Sequence, residues 1–96
     1  RELGKLLFFD PRLSKDATVS CASCHRPDHA WSDSRALSNG VDGRPLHRRS
    51  QTVLNTAWAA ALFWDGRAET LEEQALGPVQ STAEMNLPLP ELERRL

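Results

Sequence analysis

The chain has 96 residues, 40% hydrophobic, 26% charged and 6% aromatic, the make-up of one small globular domain whose apolar core is modest unless a bound group adds to it. Twelve Lys and Arg against thirteen Asp and Glu leave a formal charge of −1, so there is no basic field to draw nucleic acid or an anionic membrane. The local basic cluster Arg44, His47, Arg48 and Arg49 suits cofactor carboxylates or an acidic partner as readily as phosphate, and no apolar run approaches the roughly 18 residues of a transmembrane segment.

Residues 2–9, ELGKLLFF, place Leu3, Leu6 and Leu7 at helical spacing, and Asp10-Pro11 ends the run. A short helix or turn is expected over 18–25. From Arg26 to Gln51 the chain is rich in Pro, Gly, Asp, Ser, Asn and Arg, with Asn39-Gly40 and Asp42-Gly43 as turn signals; so long a loop needs a bound group to wrap. Residues 52–63, TVLNTAWAAALF, read as the most apolar helix, stopped by Asp65-Gly66. Thr70 with Glu73 forms a capping box for a short helix through Leu76, closed by Gly77-Pro78. A last amphipathic segment begins near Pro90, with Leu92 and Leu96 on one face. No alternating strand pattern appears, and the expected fold is all-α.

The only cysteines, Cys21 and Cys24, lie in CASCH with His25 directly after them. A CxxC pair alone serves a redox dithiol or half a zinc site, but zinc needs further ligands that this chain supplies poorly. With the histidine adjacent, the pattern reads as covalent attachment of haem c. Two thiols three positions apart on a helical turn can each add to a porphyrin vinyl group, and the next residue brings an imidazole to the iron. His25 is then both the metal ligand and part of the haem-binding set. Residues 1–96 are accordingly expected to form one c-type cytochrome domain with long haem-wrapping loops. Because c-type haem is attached outside the cytoplasm, a periplasmic or otherwise exported location follows.

The ligand on the far side of the iron separates electron carriage from catalysis. His29 is only four residues beyond His25, which puts it on the same side or at the rim; His47 lies in the basic loop; Met85, as a lone methionine, more often packs in a core. None of the three is compelling, which leaves an open position plausible. Glu84, in STAEMN, is the acid–base candidate: a carboxylate over an open iron can take a proton from hydrogen peroxide and return it to the departing oxygen. Its ordinary reading is an exposed glutamate. Trp64 in FWDGR is a core residue or an electron relay, Gln74 a surface helix residue, and Arg67 a salt-bridge partner.

Six strings in order resemble the bacterial di-haem cytochrome c peroxidase and MauG family: LGKLLFFDPRLS at 3–14, CASCH at 21–25, SNGVDGR at 38–44, TVLN at 52–55, FWDGRAETLEEQALGPVQ at 63–80 and EMN at 84–86. CxxCH alone marks only a c-type haem; FWDGR followed by EEQA, GPVQ and EMN is much narrower. The resemblance implies the N-terminal haem domain of a two-domain di-haem protein, with these 96 residues a fragment of it. It implies His25 as proximal ligand, Glu84 as distal acid–base residue, Gln74 and Pro78 as distal pocket wall, and Trp64 between the two haems. It also implies a second haem domain, hydrogen peroxide as substrate and a small cytochrome c or cupredoxin as electron donor, and it leaves open whether the assembled protein is a homodimer.

Two departures from the family pattern stand out. The glycine-histidine-glycine-tryptophan stretch that supplies a displaceable distal histidine is missing; HAWSD at 29–33 and a loop ending in His47 take its place. This is closer to the MauG-like branch and implies an open, high-spin haem. The arginine-asparagine-x-proline turn is here Arg48-Arg49-Ser50-Gln51, without the asparagine that helps hold calcium at the domain interface; Asn39 is the remaining alternative. The leading function is peroxide reduction, the runner-up MauG-like oxidation of a protein or organic substrate, and from another class a simple electron-transfer cytochrome.

Overall fold

A computed structural model describes residues 1–96. It has four helices, α1 (Glu2–Phe8), α2 (Cys21–Cys24), α3 (Leu71–Gln80) and α4 (Leu89–Arg95), with single 3-10 turns at Pro11–Leu13, Pro27–His29, Val41–Gly43 and Thr56–Trp58. There are no strands, only isolated bridges, so the fold is all-α as the sequence implied.

Leu13, Val79, Met85 and Leu87 form the buried cluster, with Leu7, Val19 and Leu92 packed against it. The cluster joins α1, α3 and α4, and burial of such side chains contributes roughly 1.5–3 kcal/mol each. Two hydrogen bonds carry the chain from α3 back across it: Met85 N–H to the Pro78 carbonyl at 3.2 Å and Leu87 N–H to the Val79 carbonyl at 2.8 Å. Arg95 on α4 closes the cluster from below, donating to the carbonyls of Arg12, Ser14 and Lys15 at 3.1, 2.7 and 3.1 Å.

The remainder consists of loops with a recurring form. Three are closed by one antiparallel bridge each, Arg26–Ser32, Asn39–Pro45 and Leu62–Ala68. Each contains residues of positive φ: Ala30 and Trp31, Asp42 and Gly43, Phe63 and Gly66. The expected long loop is therefore bonded to itself. Asp33, Ser38 and Val41 are buried within it.

Two expectations are corrected. Residues 52–63 are not a helix, and only the Thr56–Trp58 turn forms there. The Thr52 hydroxyl donates to the Ala30 carbonyl at 2.5 Å, Val53 N–H donates to the Trp31 carbonyl at 3.3 Å, and Asn55 sits at φ 61°. These long-range bonds outweigh the modest helix preference of the alanines. The second correction concerns α3, which runs through Gly77-Pro78 to Gln80. Pro78 forgoes a bond to the Gln74 carbonyl, while its own carbonyl is taken by Met85. The start of α3 is as expected: the Thr70 hydroxyl accepts from Glu73 N–H at 3.2 Å, and the Glu73 carboxylate reaches back to Glu69 N–H at 3.0 Å.

Candidate haem-attachment site

The CASC turn is a single tight coil. The Ser23 hydroxyl accepts from Ser20 N–H at 3.0 Å, and His25 N–H donates to the Cys21 carbonyl at 2.9 Å. Both cysteines are half-buried and free of a disulfide. Burial pushes the Cys21 and Cys24 thiols up, and the carboxylates of Asp33 and Glu84 add to the effect at Cys24. The pair is thus held as thiols, the opposite of the depressed values that redox-active CxxC dithiols need.

The His25 ring is fixed from two sides. Nδ1 lies 2.8 Å from the Gln51 carbonyl oxygen and 3.3 Å from that of Trp31. Both partners only accept, so Nδ1 carries the proton and Nε2 presents the lone pair. Phe8 at the end of α1 lies close by, its ring tilted against the imidazole with centroids 6.4 Å apart and edge-on to Trp31 at 5.8 Å. Beside them Gly4, Lys5, Phe8, Phe9, Trp31, Val53 and Leu54 line a shallow, mainly apolar depression of about 260 Å³. Two unpaired thiols on one turn, followed by an imidazole of the right tautomer, fit a covalently attached haem c.

A polar network that the sequence did not signal supports this turn. Asp33 is fully buried and bonded to Arg35 through the backbone N–H at 2.9 Å and two guanidinium bonds at 3.0 Å. Arg35 also reaches the Ser23 carbonyl in α2 at 3.4 Å. Ser38 bonds Ser50 twice, through its hydroxyl to the Ser50 hydroxyl at 2.8 Å and from Ser50 N–H at 2.9 Å.

The acid–base candidate lies on a neighbouring segment. Val41 N–H donates to the Glu84 carbonyl at 2.7 Å, while the Cys24 thiol points to the Asn39 carbonyl at 3.6 Å. Residues 39–41 therefore bridge the attachment turn and Glu84. The Glu84 side chain is half-buried, and burial pushes its carboxyl up, with the charge of Arg67 acting in the opposite sense. Arg67 lies 3.5 Å above the Phe63 ring and pairs with Asp65 at 2.9 Å, the salt bridge the sequence suggested. Gln74 and Pro78 are one turn apart on α3 and so share a face, and Pro78 is tied to the Glu84-Met85 step by the Met85 N–H. Trp64 is 60% exposed, its indole N–H donating to the Arg49 carbonyl at 3.2 Å.

Other candidates fall elsewhere. Met85 is 3% exposed among Leu13, Val79 and Leu87, a core residue. His29 pairs with Asp28 at 3.1 Å on the surface. No group of three or more His, Cys, Asp or Glu side chains is disposed to hold a metal ion, and Asn39 is engaged through its backbone carbonyl. No helix is long and apolar enough to cross a membrane.

The family model described as di-haem cytochrome c peroxidase matches residues 1–96. The chain belongs to the di-haem cytochrome c peroxidase family. It is 53% identical over 94 residues to the methylamine utilization protein MauG of Methylophilus methylotrophus, covering 98% of this chain and 28% of that protein. It is 49% identical over 86 residues to the cytochrome c551 peroxidase of Pseudomonas aeruginosa, covering 90% of this chain and 25% of that one. A MauG-like protein associated with microbial copper homeostasis superposes with a TM-score of 0.87 at 33% identity, over 97% of this chain and 29% of that one. The diheme peroxidase BthA of Burkholderia thailandensis superposes with a TM-score of 0.81 at 35% identity, over 88% and 26%. The chain thus spans about a quarter of the length of these di-haem family relatives.

Proposed function

We propose that this domain carries the peroxide-reacting haem of a di-haem oxidoreductase that reduces hydrogen peroxide to water. Electrons come from a small periplasmic redox protein by way of a second haem domain. The observation that carries the reading is Glu84, a half-buried carboxyl with a raised pKa on a segment bonded, through residues 39–41, to the CASCH turn.

A haem c held by Cys21, Cys24 and His25 would supply the redox-active iron for the two-electron reduction of peroxide. The overall change consumes two protons and two electrons per peroxide and yields two waters. His25 orients through Nδ1 and offers Nε2 to the metal. Glu84 takes the proton from the nearer peroxide oxygen and delivers it to the farther one, which then departs as water rather than hydroxide. A carboxyl kept partly out of water can exchange that proton without a large penalty in either direction. Gln74 and Pro78 wall the distal pocket, Gln74 offering an amide N–H to the reacting oxygen. The exposure of Trp64, with its indole bonded to the Arg49 carbonyl, supports its role as the entry point for electrons from the second haem.

MauG-like oxidation of a protein or organic substrate is the alternative, favoured by the 53% identity to MauG. A simple electron-transfer cytochrome is disfavoured by the burial of Met85 in the core. The test is rapid mixing of the reduced di-haem protein with peroxide, for wild type and Glu84→Gln. Peroxide-dependent oxidation of a reduced small cytochrome that Glu84→Gln slows about 10²–10⁴-fold supports the proposal. Equal rates remove Glu84 from it, and oxidation of aromatic side chains on a partner in place of cytochrome turnover selects the alternative.

A further inference from the structure

Four successive carbonyls in the segment 48–51 each accept a hydrogen bond from a different part of the chain. Arg48 accepts from Ser38 N–H at 3.4 Å, Arg49 from the Trp64 indole at 3.2 Å, Ser50 from the Ser32 hydroxyl at 2.6 Å, and Gln51 from His25 Nδ1 at 2.8 Å. The segment has no helix or strand of its own. Its conformation is therefore set by these donors together with the two bonds between Ser50 and the Ser38 hydroxyl, and the orientation of the Gln51 carbonyl depends on what holds residues 48–50 before it.

We propose that Trp64 is a positioning residue for the proximal histidine, acting through the backbone of residues 49–51. This rests on the reading of His25 as the metal ligand and adds to it a role for Trp64 distinct from electron entry. The Trp64 indole N–H anchors Arg49 from the 62–68 loop. Two peptide units further on, the Gln51 carbonyl polarises Nδ1–H and raises the donor strength of Nε2. Releasing the Arg49 anchor gives the segment freedom, lengthens the Nδ1–H···O=C bond on average and weakens what the imidazole donates. Ser32 acts on the adjacent carbonyl in the same sense.

The experiment is resonance Raman of the ferrous holoprotein together with its reduction potential, for wild type, Trp64→Phe, Ser32→Ala and Trp58→Phe. Trp64→Phe keeps an aromatic ring but removes the N–H donor together with the second ring of the indole, a loss of ring area that Trp58→Phe reproduces on the surface. Trp58, 82% exposed and making no side-chain hydrogen bond, controls for loss of a surface indole. Trp64→Phe and Ser32→Ala are expected to lower the iron–imidazole stretching frequency and raise the potential, with Trp58→Phe unchanged. An iron–imidazole stretch that stays at its wild-type value in Trp64→Phe overturns the inference alone, whatever Ser32→Ala does; slower electron delivery without that shift leaves Trp64 a relay only. Absence of the stretch in wild type overturns the reading of His25 and the inference with it. Failure of Trp64→Phe to load haem where Ser32→Ala and Trp58→Phe load it shows a role beyond positioning of His25 and overturns the inference.

Discussion

Gly40 and Ala83 are in backbone contact: a Cβ built on Gly40 would overlap the Ala83 carbonyl oxygen and reach 3.0 Å from that of Glu84. Gly40 has an ordinary extended φ of −88°, so it is there for the close approach of two segments and not for a turn. That crossing holds residues 39–41 against Glu84, and a methyl group forces it apart. Gly40→Ala is expected to destabilise by about 1–3 kcal/mol and, on the proposed function, to slow peroxide reduction by displacing Glu84. Gly4→Ala, on α1 with nothing within 4 Å, should stabilise by about 0.5–1 kcal/mol. Urea unfolding of the two variants tests the contrast, and equal effects would refute it.

Asp33 shapes the acid limb of stability. Burial alone would raise its pKa, but the Arg35 side chain and backbone N–H and the Ser38 hydroxyl outweigh that and hold it at about 2. A folded pKa depressed below the unfolded 3.8 stabilises the fold above that value. This stability is lost as pH falls through about 2. Asp33→Asn should cost about 1–3 kcal/mol at neutral pH and flatten the stability profile between about pH 4 and 2. Thermal melts across that range check it; a slope as steep as wild type would exclude Asp33 as the source.

Glu84 works with the opposite sign. Its folded pKa is raised above the unfolded 4.5, chiefly by burial. Its ionisation therefore weakens the fold as pH rises from the unfolded value through the folded one. Glu84→Gln should be more stable than wild type at pH 7 and match it at low pH; on the proposed function it also loses peroxide reactivity. Paired melts at pH 7 and pH 3.5 provide the measurement, and a neutral-pH loss of stability in the variant would contradict it.

Arg95 is the clasp between the two ends of the chain. It places three bonds on the carbonyls of residues 12, 14 and 15 and one on Glu91 at 2.9 Å. Arg95→Met retains the stem and leaves those carbonyls to water, for an expected loss of about 1–3 kcal/mol. Arg95→Lys should recover little, because one ammonium cannot span three acceptors and a carboxylate with the same fork. Chemical denaturation of both variants decides; full rescue by lysine would mean that charge, not geometry, holds the ends together.

The elements that could be read from the residues alone are those determined by neighbours in sequence. CASCH, the Thr70 cap of α3, Asp10-Pro11 after α1 and Leu92 of α4 act within a few positions of themselves, and each appears where expected; Leu96, expected on the same face as Leu92, instead follows the end of α4 and is exposed. The segment 52–63 could not be read this way, because the partners of Thr52 and Val53 are carbonyls some twenty residues away and backbone carbonyls carry no residue signature. The same reason hid the acceptors of His25 and Trp64. The roles of Gly40, Asp33 and Ser38 were equally invisible, since each depends on a segment that only the folded chain brings near. Sequence by itself determined the CxxCH pattern that suits haem attachment and offered Glu84 as one candidate acid–base group among many glutamates. Tertiary structure decided which nitrogen of His25 keeps its proton, why Met85 is core and why Glu84 is held partly out of water, because those outcomes depend on contacts between distant parts of the chain.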